Sequence, residues 1–141
     1  MFKLYKLYFL LFFSSVYATC SKLPGTMICE HGLEPMINAN GNVILKHMQV
    51  AGDANIKGQL FVQDSKLFKL EIFGLLQAQN TVFMGPITIW ANQAKITGGS
   101  TKNIYISSNS SEQASLILAG NVKVNGDISF SGNQGAVFID N

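Results

Sequence analysis

From Asn40 to the C-terminus, pairs of apolar residues separated by one residue return about every six positions, often behind a Gly with Asn, Asp or Gln beside it. The full form, Gly then a polar or small residue, apolar, any, apolar, any, occupies Gly41–Lys46, Gly52–Lys57 with Ala54 as a small inward residue, Gly58–Gln63, Gly120–Asn125 and Gly126–Ser131. Looser copies carry the pair alone, at Met48/Val50, Leu70/Ile72, Leu76/Ala78, Val82/Met84, Ile87/Ile89, Ala94/Ile96, Ile104/Ile106, Leu116/Leu118 and Val137/Ile139. Alternation with period two marks a strand with one buried face. Here turn residues cut every run short. Short strands that repeat at a fixed spacing cannot bury their apolar faces singly, and stacking of neighbours is what does it. The pattern therefore predicts an all-β fold, a single-stranded parallel β-helix.

With three strands to a turn, the pairs sort into columns. The first holds Val43, Leu60, Val82, Ile104 and Val122; the second Met48, Leu70, Ile87 and Ile128, with a polar gap around Asn109; the third Ala54, Leu76, Ala94, Leu116 and Val137. A three-sided solenoid of about five coils follows, with turns of unequal length absorbed by loops. One stretch, Lys66–Gln79, also carries apolar residues at helical spacing, but Gly74 interrupts it and its flanks keep the strand beat, which favours strand.

The first forty residues are of another kind. Lys3 and Lys6 precede an apolar run from Leu7 to Val16 that ends in Val16-Tyr17-Ala18, the form of a secretory signal peptide over residues 1–18. The run is about half the length of a membrane-spanning helix. Two alternatives stand beside export with cleavage: acylation of Cys20 as a lipoprotein, and an uncleaved segment bound to the membrane surface. Residues 19–39 read as a leader or cap, and 40–141 as the solenoid. Cys20 and Cys29, the two cysteines of the chain, flank Pro24-Gly25 and would pair in an oxidising compartment; the alternative is two unrelated thiols.

Composition narrows the function classes. Lys3 and Lys6 belong to the leader, so the rest of the chain has a formal charge near zero, and Arg is absent throughout. Without a guanidinium fork or a basic patch, nucleic acid is not an expected partner. Asp53 and Asp127 share the context Val-x-Gly-Asp but fall three to four coils apart, roughly 15 to 20 Å at strand spacing, beyond glycosidase carboxylate distances. Gly98-Gly99-Ser100-Thr101-Lys102 has the wrong spacing for a phosphate loop and precedes a strand. His47 is a general-base candidate with no orienting partner evident in the sequence, and His31 alone does not make a zinc site with the cysteines. Asn109-Ser110-Ser111 is a glycosylation sequon in a eukaryotic host. No catalytic, cofactor or metal residue is assigned, and the expectation is a non-enzyme.

Two surfaces follow from the columns. The residue between each apolar pair points outward, so the first column predicts an exposed stripe of Ile44, Phe61, Phe83 and Tyr105 ending at Lys123. Contiguous exposed aromatics mark an interaction site, unless the leader folds back over them. The solenoid ends are unpaired strand edges, and the last turn runs through Val137, Phe138 and Ile139 with no polar cap after it, which predicts end-to-end self-association.

Val50-Ala51-Gly52-Asp53-Ala54-Asn55-Ile56-Lys57-Gly58 and its echo Val124-Asn125-Gly126-Asp127-Ile128-Ser129-Phe130-Ser131-Gly132 resemble the repeats of bactofilins, polymer-forming bacterial cytoskeletal proteins. The resemblance spans residues 40 to 140. It implies a right-handed, three-sided β-helix that polymerises through its ends without nucleotide or metal. Bactofilins act in the cytoplasm, whereas this chain begins with an export signal. The expected function is thus an exported, non-enzymatic structural protein that self-associates or scaffolds at a bacterial envelope, with itself or an envelope or host-surface component as partner. The alternative is a secreted, adhesin-like module that docks a protein or glycan on the aromatic stripe.

Overall fold

The computed structural model of the protein describes residues 19–108, 112–131 and 135–140. The leader Met1–Ala18 and the sequon Asn109-Ser110-Ser111 lie outside the described residues. The fold is all-β and parallel, a solenoid of about six turns with 76% of residues in strands. Its strands are β1 (Thr19–Leu23), β2 (Thr26–Glu34), β3 (Ile37–Gln63), β4 (Lys66–Phe73), β5 (Leu76–Gln79), β6 (Val82–Phe83) and β7 (Ile87–Trp90). There follow β8 (Gln93–Thr97), β9 (Ser100–Thr101), β10 (Ile104–Ser107), β11 (Ala114–Ala119), β12 (Lys123–Val124), β13 (Ile128–Ser131) and β14 (Gly135–Asp140).

Three ladders of in-register residues form the sides. The first sets Leu60 opposite Leu76, Leu76 opposite Ala94, Ala94 opposite Leu116 and Leu116 opposite Val137. The second sets Val50 opposite Leu67, Leu67 opposite Phe83 and Thr101 opposite Val124. The third runs Ala54, Leu70, Ile87, Ile104 and Ile128, shadowed by Ile56, Ile72, Ile89, Ile106 and Phe130. Parallel strands stacked in this way put like residues over like, and the inward columns merge into one apolar core of almost wholly buried Val, Leu and Ile.

The helical alternative over Lys66–Gln79 resolves as strand, β4 and β5 parted by Gly74. Gly74 explains itself by where it stands. With φ at +144°, a Cβ built on it would lie 1.8 Å from the carbonyl oxygen of Gly58, which itself stands over Gly41 in the same way. Only glycine allows backbones to stack that closely at this corner.

Corners on another edge use left-handed residues. His31, His47, Asp64 and Asn80 have φ of 53°, 53°, 49° and 47°, and each bends the chain from the first side into the second. A hydroxyl follows at two of these corners. Ser65 Oγ donates to Gln63 O at 2.8 Å and accepts from Met48 N–H at 3.0 Å, while Thr81 Oγ1 donates to Gln79 O at 2.9 Å. These short polar side chains are buried, because their hydrogen bonds close on local backbone.

Those hydroxyls correct the expected columns. Val82 and Met84 are 39% and 50% exposed, whereas Phe83 is 1% exposed. The inward pair is Thr81/Phe83, not Val82/Met84, because the corner consumes one residue fewer than the apolar beat suggests. Ile104 joins Ile87 and Ile128 on the third side, and Ala54 stacks with Leu70 there instead of with Leu76. The ladders Leu76–Ala94–Leu116–Val137 and Leu70–Ile87 stand as the sequence suggests.

The boundary expected at residue 40 is also displaced. β2 pairs in parallel with β3, Met27 opposite Val43 and Cys29 opposite Leu45, so the first coil begins at Thr26 and adds a turn to the expected count. Met27 and Cys29 are themselves an inward pair. Within 19–39 only β1 stands outside the solenoid path, running antiparallel on β2 with Cys20 bonded to Cys29.

Candidate functional site

The four residues expected to form one exposed stripe do not meet. Ile44 and Phe61 sit half-exposed on the first side, Ile44 beside Ile28, and the next outward residue after Phe61 is Gln77. Phe83 belongs to the core of the second side. Tyr105 is exposed on the third side between Thr88 and Ser129. The stripe is therefore a short apolar patch of Ile28, Ile44 and Phe61, and it ends because Gln77, not Phe83, stands beside Phe61 in the next coil.

A different aromatic pair stands on the surface. Phe73 and Trp90 lie at matching ends of β4 and β7, their ring centroids 4.2 Å apart and their planes 5° from parallel. The signal for them was present. In Leu70-Glu71-Ile72-Phe73 and Ile87-Thr88-Ile89-Trp90 the aromatic follows the inward pair directly, and aligning the two copies superposes the rings.

The residues tested for chemistry are dispersed, with one exception. Asp53 stands opposite Lys69, and Asp127 lies farther along the same corner ladder, where its carbonyl accepts from Ile104 N–H at 2.9 Å and its N–H donates to Asn103 Oδ1 at 2.9 Å. They are turn residues of separate coils. His47, in contrast to its expected isolation, stacks on His31 with centroids 4.8 Å apart and planes 3° from parallel, and its Nε2 lies 4.0 Å from Asp64 Oδ2. This cluster is solvent-facing, and an ion pair so exposed contributes little. Among the described residues no three metal-ligating side chains converge.

The C-terminal coil is where apolar surface and unsatisfied backbone coincide. Among the described residues β12 pairs with β9 alone, β13 with β10 alone and β14 with β11 alone, so each presents a free edge of N–H and C=O groups. Val137 and Ile139 continue the inward column of Leu116 and Leu118, yet Val137 is 39% and Ile139 72% exposed, because among the described residues no strand pairs with the far edge of β14 to cover them. Val124, Ile128 and Phe130 are only partly buried for the same reason. Phe138, 55% exposed, adds outward apolar surface beside Ile117. The result is an apolar end plate ringed by open strand edges.

The opposite end differs in kind. β1 lies across Thr26–Glu30 of β2, from Thr19 opposite Glu30 to Leu23 opposite Thr26, and the Cys20–Cys29 disulfide ties it there. That bond is compatible with an oxidising, exported location. No family model, curated protein or solved structure matches the chain.

Proposed function

We propose that this chain is an exported, non-enzymatic β-solenoid whose work is self-association through its end, as the bactofilin-like repeats suggest, but outside the cytoplasm. The observation that carries the reading is the open C-terminal coil. An uncapped strand edge templates pairing with another chain, and natural sheets normally cover, charge or twist such edges away. Here the edge of β14 instead carries Val137, Phe138 and Ile139 beside one charged residue, Asp140. A second copy would satisfy the backbone groups and remove the plate from water together, the combination that makes sheet extension favourable.

The test is Ile139→Lys, which places a charge in the plate without touching the core. Wild-type protein should sediment with a mass that rises with concentration, and the variant should remain a monomer with unchanged far-ultraviolet circular dichroism. A wild-type chain that stays monomeric up to high micromolar concentration, or a variant that associates equally well, would sink the proposal.

The Phe73–Trp90 stack favours a second reading, a secreted module that docks a glycan or protein on exposed aromatic surface. Trp90 is the one tryptophan of the chain, so its fluorescence reports directly on that surface. Saturable quenching or enhancement by a glycan, lost in Phe73→Ala, would support this alternative; an unresponsive Trp90 across a glycan panel would remove it.

A further inference from the structure

We infer that the β2 edge beneath β1 is a second self-pairing edge, closed while Cys20 and Cys29 are bonded and opened by their reduction. This rests on the self-association proposed above and concerns its control. Among the described residues β1 is the one strand that runs against the solenoid, since every other pairing is parallel. It covers one side of three, and Gly32–Glu34 of β2 pair only with β3 among the described residues.

That arrangement makes the head of the solenoid uneven by one strand layer, about 4.8 Å. A neighbouring copy's end plate cannot seat across all three sides while the layer is present. With the head closed, the tail edge is the remaining pairing surface, and two identical tail edges facing each other form a contact that closes at two copies. Once β1 leaves, each copy has two pairing ends. Assembly then continues instead of closing.

The disulfide is what holds β1 in place. Cys20, Ser21, Lys22 and Leu23 are exposed, Leu23 at 58%, so the strand buries little apolar surface of its own. Apart from the disulfide, its hold on the sheet is one short ladder to the edge of β2, with little apolar burial to strengthen it. Cys29, by contrast, is fully buried opposite Leu45 and keeps its place in the core whether bonded or not, because a free thiol packs as a small hydrophobe. Reduction by an external dithiol transfers two electrons and two protons to the S–S bond, leaving two cysteine thiols and the reductant as its own disulfide.

The experiment is sedimentation of the full chain over a concentration series, before and after treatment with dithiothreitol, with Ile139→Lys and Cys20→Ser/Ser21→Pro run in parallel. The last variant removes the crosslink and places a proline in the middle of β1, while Cys29 stays in the core. Oxidised wild type should plateau at about twice the monomer mass. Reduced wild type, and Cys20→Ser/Ser21→Pro without reductant, should exceed that plateau and keep growing, with strand circular dichroism retained. Reduced Ile139→Lys, left with the head edge alone, should itself plateau at about twice the monomer mass, an outcome that unfolding and aggregation would not produce.

If reduced wild type keeps the oxidised plateau, or reduced Ile139→Lys stays monomeric, this inference falls and tail association stands. If the oxidised protein never associates, the proposed function falls and takes the inference with it.

Discussion

Gly58 carries the plainest constraint on the chain at the scale of one residue. A Cβ there would lie 2.1 Å from the carbonyl oxygen of Gly41, at a φ of +144° that side chains rarely adopt. Gly58→Ala should therefore cost at least about 2 kcal/mol, read as a lower urea midpoint. Phe61 and Phe83 make a sharper contrast, because alternation from the apolar beat gives both the same outward role. Phe83→Ser leaves a cavity in the second side and should cost about 3–5 kcal/mol. Phe61→Ser removes only half-exposed surface and should cost less than about 1.5 kcal/mol. Equal midpoints for the two variants would contradict the core placement of Phe83.

At the scale of elements, the corners decide which residues face inward. β3 and β4 are joined through Asp64 and Ser65, and Ser65 Oγ is the acceptor for the buried N–H of Met48 one coil below. Ser65→Ala would leave that donor without its partner and should cost about 1–3 kcal/mol, with faster amide exchange at Met48 as its local signature. This corner chemistry is also why strands were legible and their stacking only partly so. The ladder Leu76, Ala94, Leu116 and Val137 could be read from apolar pairs alone. Thr81 could not, because a threonine after Asn80 has the look of a turn residue and its inward rotation depends on an acceptor, Gln79 O, that only the folded corner presents. Cys29 was hidden differently: its role in the disulfide masked its membership of the first apolar pair.

For the whole molecule, the two ends matter more than the sides. The end plate of Val124, Ile128, Phe130, Val137 and Ile139 is apolar, with charge confined to the margins at Lys123, Asp127 and Asp140. Association through it should be driven by burial, not by opposite charge. Raising the salt concentration about tenfold should then leave the sedimentation-derived association constant within about twofold, whereas an electrostatic contact would weaken steeply. Heterologous stacking would generate filaments and isologous stacking closed pairs, and the head of the solenoid governs which is available.

The repeated Gly-x-apolar-x-apolar pattern determined by itself that the chain is an all-β solenoid, because short period-two runs have no means of burying their faces except against their own neighbours. It determined too that glycines and aspartates belong to turns. Tertiary structure decided what depends on register between coils: that Phe83 is core and Phe73 with Trp90 is surface, that His31 meets His47, that β1 turns back antiparallel over the first coil. The reason is physical. Alternation is a property of one strand and is written locally, but which strand lies above which depends on how many residues each corner consumes, and that number is settled by hydrogen bonds made only when the coils are stacked.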